Sequence, residues 1–198
     1  NRSSGRMGVA LAAEARRRGA EVTLLAANLA VEAPSGIELV ETPTAADLAR
    51  ETLARADADL VLMTAAVADY RPTEARTDKR PKDGERWRIE LEPTVDVLRE
   101  LSAQPANGRL LVGFAADAGE TGLARARAKL VNKRLNLIVF NDVSRTDIGF
   151  DAADNEVVLI SGTGERTIGK ASKDAIAGAI LDEVGRLLEE QSGRASSR

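Results

Sequence analysis

The chain has 198 residues, 43% hydrophobic and 30% charged, which is enough for one packed domain and short for two. Its 28 basic and 31 acidic residues leave a net charge of −3, without the excess that draws a protein to nucleic acid or an anionic membrane, and no apolar run approaches the roughly 20 residues of a membrane span. The absence of cysteine and histidine removes disulfides, thiol nucleophiles, imidazole bases and the common zinc ligands, so chemistry falls to Lys, Arg, Asp, Glu, hydroxyls, backbone or a hard metal.

Asn1-Arg2-Ser3-Ser4-Gly5-Arg6-Met7-Gly8 forms a small, polar loop that feeds a helix expected from about Gly5 to Arg18, then a strand at about Val22 to Ala26. Two readings fit this loop. Its low bulk lets backbone N–H groups approach a phosphate at a helix N-terminus, or it is a Ser-capped helix start. Such a loop ordinarily follows a strand, so the chain is expected to lack its first strand. A short strand at Ile37–Val40, a helix at Ala45–Ala56 capped by Thr42 or Thr44, and a buried strand at Leu60–Met63 follow. That strand runs into the small-residue loop Thr64 to Tyr70.

From Arg71 to Arg88 the pattern breaks into a stretch with seven basic and four acidic residues and almost no apolar ones. It cannot pack a core and reads as a long exposed excursion. Trp87–Leu91 alternates like a half-buried strand, and Val95–Leu101 reads as a short helix. Leu110–Phe114 is a buried strand, followed by a helix at about Glu120–Leu135 and a strand at Leu137–Phe140 closed by Asn141-Asp142. A hairpin of Glu156–Ile160 and Thr167–Ile168 precedes a helix from Lys173 to about Leu188, and residues 191–198 read as a frayed tail. This alternation predicts one α/β domain over residues 1–198: Rossmann-like, with a mostly parallel sheet, helices on both faces and a charged flap excursion at 71–88.

In such a sheet, ligands bind beyond the carboxyl ends of the strands. The loop Thr64 to Tyr70 would let a planar base or ribose lie against backbone while Asp69 accepts a hydrogen bond or holds a metal; equally, it is an Ala-rich turn with Asp69 as a cap. Lys79-Arg80-Pro81-Lys82 suits a cationic flap closing over phosphates, or a merely solvated charge run. Arg125, Arg127, Lys129, Lys133 and Arg134 occur with no acidic residue between them, with Lys129 and Lys133 sharing a face at i and i+4; a solvent-facing stripe is the alternative. A dinucleotide-dependent reductase fits poorly, because Ala26-Ala27-Asn28 follows the first strand where an acidic residue would hold a ribose.

Taken together, the opening loop, Ala65-Ala66-Val67-Ala68-Asp69-Tyr70, Gly113-Phe114-Ala115-Ala116 and Asn141-Asp142-Val143 resemble the phosphopantothenoylcysteine synthetase family, the ligase half of the bacterial bifunctional coenzyme A enzyme. The resemblance implies that 4'-phosphopantothenate reacts with CTP to give an acyl-cytidylate and pyrophosphate, after which the amine of cysteine displaces CMP. It also implies Mg²⁺, a homodimer, a cytoplasmic location, no nucleic-acid or membrane partner and no flavin on this segment, the flavin belonging to a fused or partner decarboxylase domain. By position, Asn1 would contact the acyl intermediate and Lys79 would act from the flap. Ala65, Asp69, Val95, Asp96, Val97, Leu98, Phe114, Lys129 and Lys133 would meet the nucleotide. No metal ligands are assigned.

The chain departs from the family pattern at Pro81, where a lysine is usual, at Asp117, where a glutamate is usual, and at Val95, often a proline. The family's arginine before Asn1 lies outside the sequence. A domain of the same fold that binds nucleotide without ligation is the alternative expectation.

Overall fold

The computed structural model describes residues 3–74, 78–79, 81–82, 84, 86–144 and 154–195; Asn1 and Arg80 lie outside the described residues. Helix α1 (Arg6–Arg17) leads into strands β1 (Thr23–Ala26) and β2 (Glu38–Glu41), which pair in parallel. Helix α2 (Ala45–Leu53) precedes β3 (Leu60–Met63), and β4 (Tyr70–Pro72) pairs antiparallel with β5 (Leu91–Pro93) at the base of the charged excursion. Then come α3 (Val97–Ala103), β6 (Leu110–Asp117), α4 (Gly119–Asn132), β7 (Leu137–Asp142), β8 (Asp154–Ser161), β9 (Gly164–Ser172) and α5 (Lys173–Ala195). The main sheet has the order β3-β6-β7-β8-β9; its first three strands are parallel, and the terminal hairpin continues it antiparallel.

Because side chains alternate across a strand, each central strand divides its residues between two cores. Leu110, Val112, Leu137, Val139, Val157 and Leu159 pack with Leu11 of α1 and Ile176, Ile180 and Val184 of α5. Leu111, Ile138, Phe140 and Ile160 pack on the opposite face with Ala49 of α2, Val97, Leu98 and Leu101 of α3, and Ala126 and Leu130 of α4. Helices therefore cover both faces, as the alternating pattern predicts. Fully burying one such Leu or Ile contributes about 1.5–3 kcal/mol.

Local chemistry moves several boundaries. Thr44, and not Thr42, caps α2: its hydroxyl accepts from the Asp47 N–H at 3.1 Å, and the Asp47 carboxylate accepts from the Thr44 N–H at 3.3 Å. That helix ends at Leu53, short of Ala56. Helix α3 starts at Val97, because Asp96 takes the cap position and accepts from the Arg99 N–H at 3.3 Å; Val95 and Asp96 thus lie in the preceding loop. The strand expected at Trp87–Leu91 begins only at Leu91, where the partner Tyr70–Pro72 is available. Gln191–Ala195, expected to fray, continues α5. The Ser-capped reading of the opening loop fails. Gly5 occupies the cap position of α1 at φ 75° with no side-chain cap, and the Ser3 hydroxyl faces the Gly5 N–H at 3.4 Å.

Candidate active site

The opening loop is pinned between the ends of two strands. Ala30 N–H donates to the Ser4 carbonyl at 3.1 Å on the β1 side, and on the β3 side a Cβ at Gly8 would lie 2.9 Å from the Thr64 hydroxyl. A side chain at Gly8 would force the Thr64 hydroxyl to shift. The first turn of α1 thereby opens onto a cavity of about 390 Å³ at the carboxyl ends of β3, β6 and β7. Ser3 to Gly8 form one wall, Thr64, Ala65 and Ala66 a second, and Phe114 to Ala116 a third; Val139, Asn141, Asn155, Val157 and Lys173 complete it. Small side chains dominate the first three walls, as the loop compositions require.

A second cluster sits beside it, carried by α3 and α4. Lys133 Nζ pairs with Asp96 Oδ2 at 2.7 Å, and Lys129 Nζ donates to the Phe114 carbonyl at 3.3 Å. Thr94 ties Asp69 to this group: its N–H donates to the Asp69 carbonyl at 2.9 Å and its hydroxyl to the Ala68 carbonyl at 2.6 Å. Burial holds the Lys129 ammonium below the usual lysine range; Lys133 adds to this, and Asp96 and Asp69 oppose it. An added polyanion would favour the charged form of Lys129. Val97 and Leu98 are buried and pack into the core on the α3 and α4 side of the sheet.

Asp142 steadies the edge between the two clusters. Its Oδ1 accepts from Gly119 N–H at 3.1 Å and Ser144 N–H at 2.9 Å, fixing the start of α4 against the end of β7. Asp117, the shorter carboxylate, accepts from its neighbour Ala118 N–H and pairs with Arg125 at 2.7 Å. Arg127 is likewise engaged, with Glu165 at 2.6 Å, so of the basic stripe on α4 only Lys129 and Lys133 join the cluster. The cationic stripe is therefore divided between the cluster beside the cavity and surface pairing.

Of the residues expected at the site, the structure brings Asp96, Phe114, Lys129 and Lys133 together with Asp69 tied on through Thr94, places Ala65 and Phe114 on the cavity wall, and leaves Val95 exposed in the loop before Asp96. Lys79 is exposed on the excursion and does not line the cavity. Asn1 lies outside the described residues. Asn155 and Lys173 went unnoticed in the sequence, and Asn141 appeared only within a motif. For Asn155 the signal is the alternation Asn155, Val157, Leu159, which puts a polar residue on a core-facing register.

An open α/β sheet with a cavity and a cationic cluster at its strand carboxyl ends defines a Rossmann-like domain. A family model described as the DNA/pantothenate metabolism flavoprotein C-terminal domain matches residues 1–187, and the chain belongs to that family. It is 38% identical over 197 residues to the coenzyme A biosynthesis bifunctional protein CoaBC of Bacillus subtilis, covering 98% of this chain and 48% of the relative. The chain thus spans about half the length of the curated relatives it matches. A crystal structure of the C-terminal domain of a CoaBC protein superposes with a TM-score of 0.79 at 33% identity, covering 96% of this chain and 86% of that one. A Cab2 mutant in complex with phosphopantothenate-cysteine shares the fold, with a TM-score of 0.76 at 14% identity over 97% of this chain and 81% of that one.

Proposed function

We propose that this domain ligates 4'-phosphopantothenate to cysteine with CTP, by way of an acyl-cytidylate, within coenzyme A biosynthesis in the cytoplasm. The observation that carries this reading is the convergence of Lys129, Lys133, Asp96 and Phe114 beside the small-residue cavity, one cationic site abutting one pocket. In the first step a substrate carboxylate oxygen attacks the α-phosphorus, and the bond to pyrophosphate breaks. In the second, the cysteine amine attacks the acyl carbon, CMP leaves with the bonding electrons, and the amine loses a proton. Neither step requires a histidine or thiol of the protein. Positioning and charge neutralisation supply the catalysis.

In this reading Ala65, Asp69, Val95, Asp96 and Phe114 line the nucleotide site over Val97 and Leu98, and Lys129 and Lys133 neutralise phosphate charge. Lys79 closes from the flap and Asn1 contacts the acyl intermediate. The described residues hold no cluster of three acidic side chains, and Asp96 is already paired with Lys133. This donor set fits a Mg²⁺ ion carried by the triphosphate, with Asp69 near it, better than an all-protein cage; when bound, the ion would neutralise the departing pyrophosphate. Exposed Tyr70, Ile89, Leu91 and Val95 around the β4–β5 arm support a homodimer through that region. The relatives' bifunctional name and double length support a fused flavin decarboxylase partner. No helix among the described residues is long and apolar enough to cross a membrane.

Mixing the protein with phosphopantothenate, cysteine, Mg²⁺ and CTP should release pyrophosphate and CMP in equal amounts, with ATP a poor replacement. CTP binding by calorimetry without pyrophosphate release would replace ligation by nucleotide binding alone. Pro81, which stiffens the flap, is the observation favouring that second reading.

A further inference from the structure

The charged excursion joins the domain through a short ribbon. Its two strands, β4 and β5, pair over three residues each, and Pro72 in one and Pro93 in the other bring no N–H to the ladder. A two-stranded ribbon of this length is marginal without further support. Towards the excursion, Thr73 N–H donates to the Glu90 carbonyl at 3.1 Å, and within the ribbon Arg71 pairs with Glu92 at 2.7 Å. At the root, Thr94 supplies two bonds: its N–H donates to the Asp69 carbonyl at 2.9 Å and its hydroxyl to the Ala68 carbonyl at 2.6 Å. The two sides of this joint differ. Ala68 and Asp69 are exposed, so packing does little to place them, whereas Asp96 caps α3 and Val97 and Leu98 anchor that helix in the core. Thr94 thus stands between Asp69 and Asp96, and both of these carboxylates act on the Lys129 ammonium.

Resting on the nucleotide site of the ligation reading, we infer that Thr94 is a positioning residue: its hydroxyl latches the Ala68–Asp69 backbone to the packed start of α3. The hydroxyl acts through Asp69 and touches no reacting group itself. Ala68 and Thr94 lie 26 positions apart, so this one bond sets the register between two loops that sequence proximity leaves independent. It also closes the root of the excursion, which ties the reach of Lys79 to the same joint that places Asp69. Because Ala68 is exposed, water satisfies its carbonyl once the hydroxyl is removed, and loss of the latch costs position rather than fold.

Calorimetric titration of the intact protein with CTP in the presence of Mg²⁺, with a melting curve for each variant, tests this. Thr94→Val keeps the branched shape and deletes the donor; it should weaken CTP binding about 10-fold, the size expected for one hydrogen bond, and leave the Tm within about 1 °C. Thr94→Ser keeps the hydroxyl and should recover most of the affinity. In an Asp69→Asn background, Thr94→Val should cost less than it does alone, because the latch works through that carboxylate. Parent-like CTP affinity in Thr94→Val, an equal loss in Thr94→Ser, or full additivity in the double variant would overturn the role. An affinity loss in Thr94→Val accompanied by a fall in Tm of about 5 °C or more would make Thr94 structural and overturn it as well. A parent protein that binds no CTP would overturn the nucleotide reading itself, and the role of Thr94 with it, before any variant is compared.

Discussion

The two faces of the sheet use charge differently. On the face covered by α3 and α4, the interacting charges stand at the carboxyl end of the strands: Lys129 under the Phe114 carbonyl and Lys133 on Asp96. On the face covered by α1 and α5, the charges that bind helix to helix lie at the far end of α1, where Glu14 takes both Arg17 and Arg18, and Arg18 reaches Asp182 at 2.8 Å and the Gly178 carbonyl at 3.0 Å. One arrangement leaves a partly desolvated cation beside a cavity, and the other spends its charges on each other. A half-buried lysine with a depressed pKa beside a cavity is the kind of group found at functional sites.

The largest effect that would test this contrast is at Lys129. Lys129→Met should raise the KM for CTP about 100-fold in the pyrophosphate-release assay, with little change in the KM for phosphopantothenate. The sign of the stability effect is opposite. Since the folded-state pKa of Lys129 is lowered, the charged form is penalised below the ordinary lysine pKa, and removing it should raise the Tm at neutral pH by about 2 °C. That gain should vanish as pH rises past the usual lysine range, where the parent's Lys129 is already neutral. A drop in Tm at pH 7 would mean that the lysine is structural.

Lys79 sits between these extremes because it belongs to neither face. Exposed on the excursion, it contributes nothing to the cores, so Lys79→Gln should leave the Tm within about 1 °C and lower kcat about 10-fold. Unchanged kinetics would remove Lys79 from the mechanism.

Much of the architecture was legible because buried strands and amphipathic helices repeat with different periods; Leu110–Val112, Leu137–Phe140 and the Ile176, Ile180, Val184 face of α5 all follow the expected pattern. The element ends were less legible, because they depend on single contacts such as Asp96 capping α3 and Thr44 capping α2. At the site, residue types showed that Lys129 and Lys133 share a helix face, but not that Asp96, 37 positions before Lys133, is its partner. Lys173 carries no motif and Asn155 shows only as a polar residue on a core-facing register; what brings the two together is the pairing of β8 with β9.

The smallest expected effect concerns the other use of charge. Hydrogen bonds from Arg17 and then Arg18 hold the Glu14 carboxyl at a pKa of about 2, below its ordinary value of 4.5. A depressed acidic pKa contributes stability that is present above about 4.5 and lost as pH falls through about 2. Glu14→Gln should therefore lower the Tm by about 1–2 °C at pH 7, and the difference from the parent should shrink steadily as the pH is taken below 4.5, with added salt reducing it at any pH. The same variant should leave the KM for CTP unchanged, because Glu14 lies in the last turns of α1, away from the cavity wall formed by its first turn. A Glu14→Gln protein with the parent's Tm at pH 7 would show that the apolar contacts of Leu11 with α5 suffice to join these helices, and that the ion pairs on this face are only solvated surface.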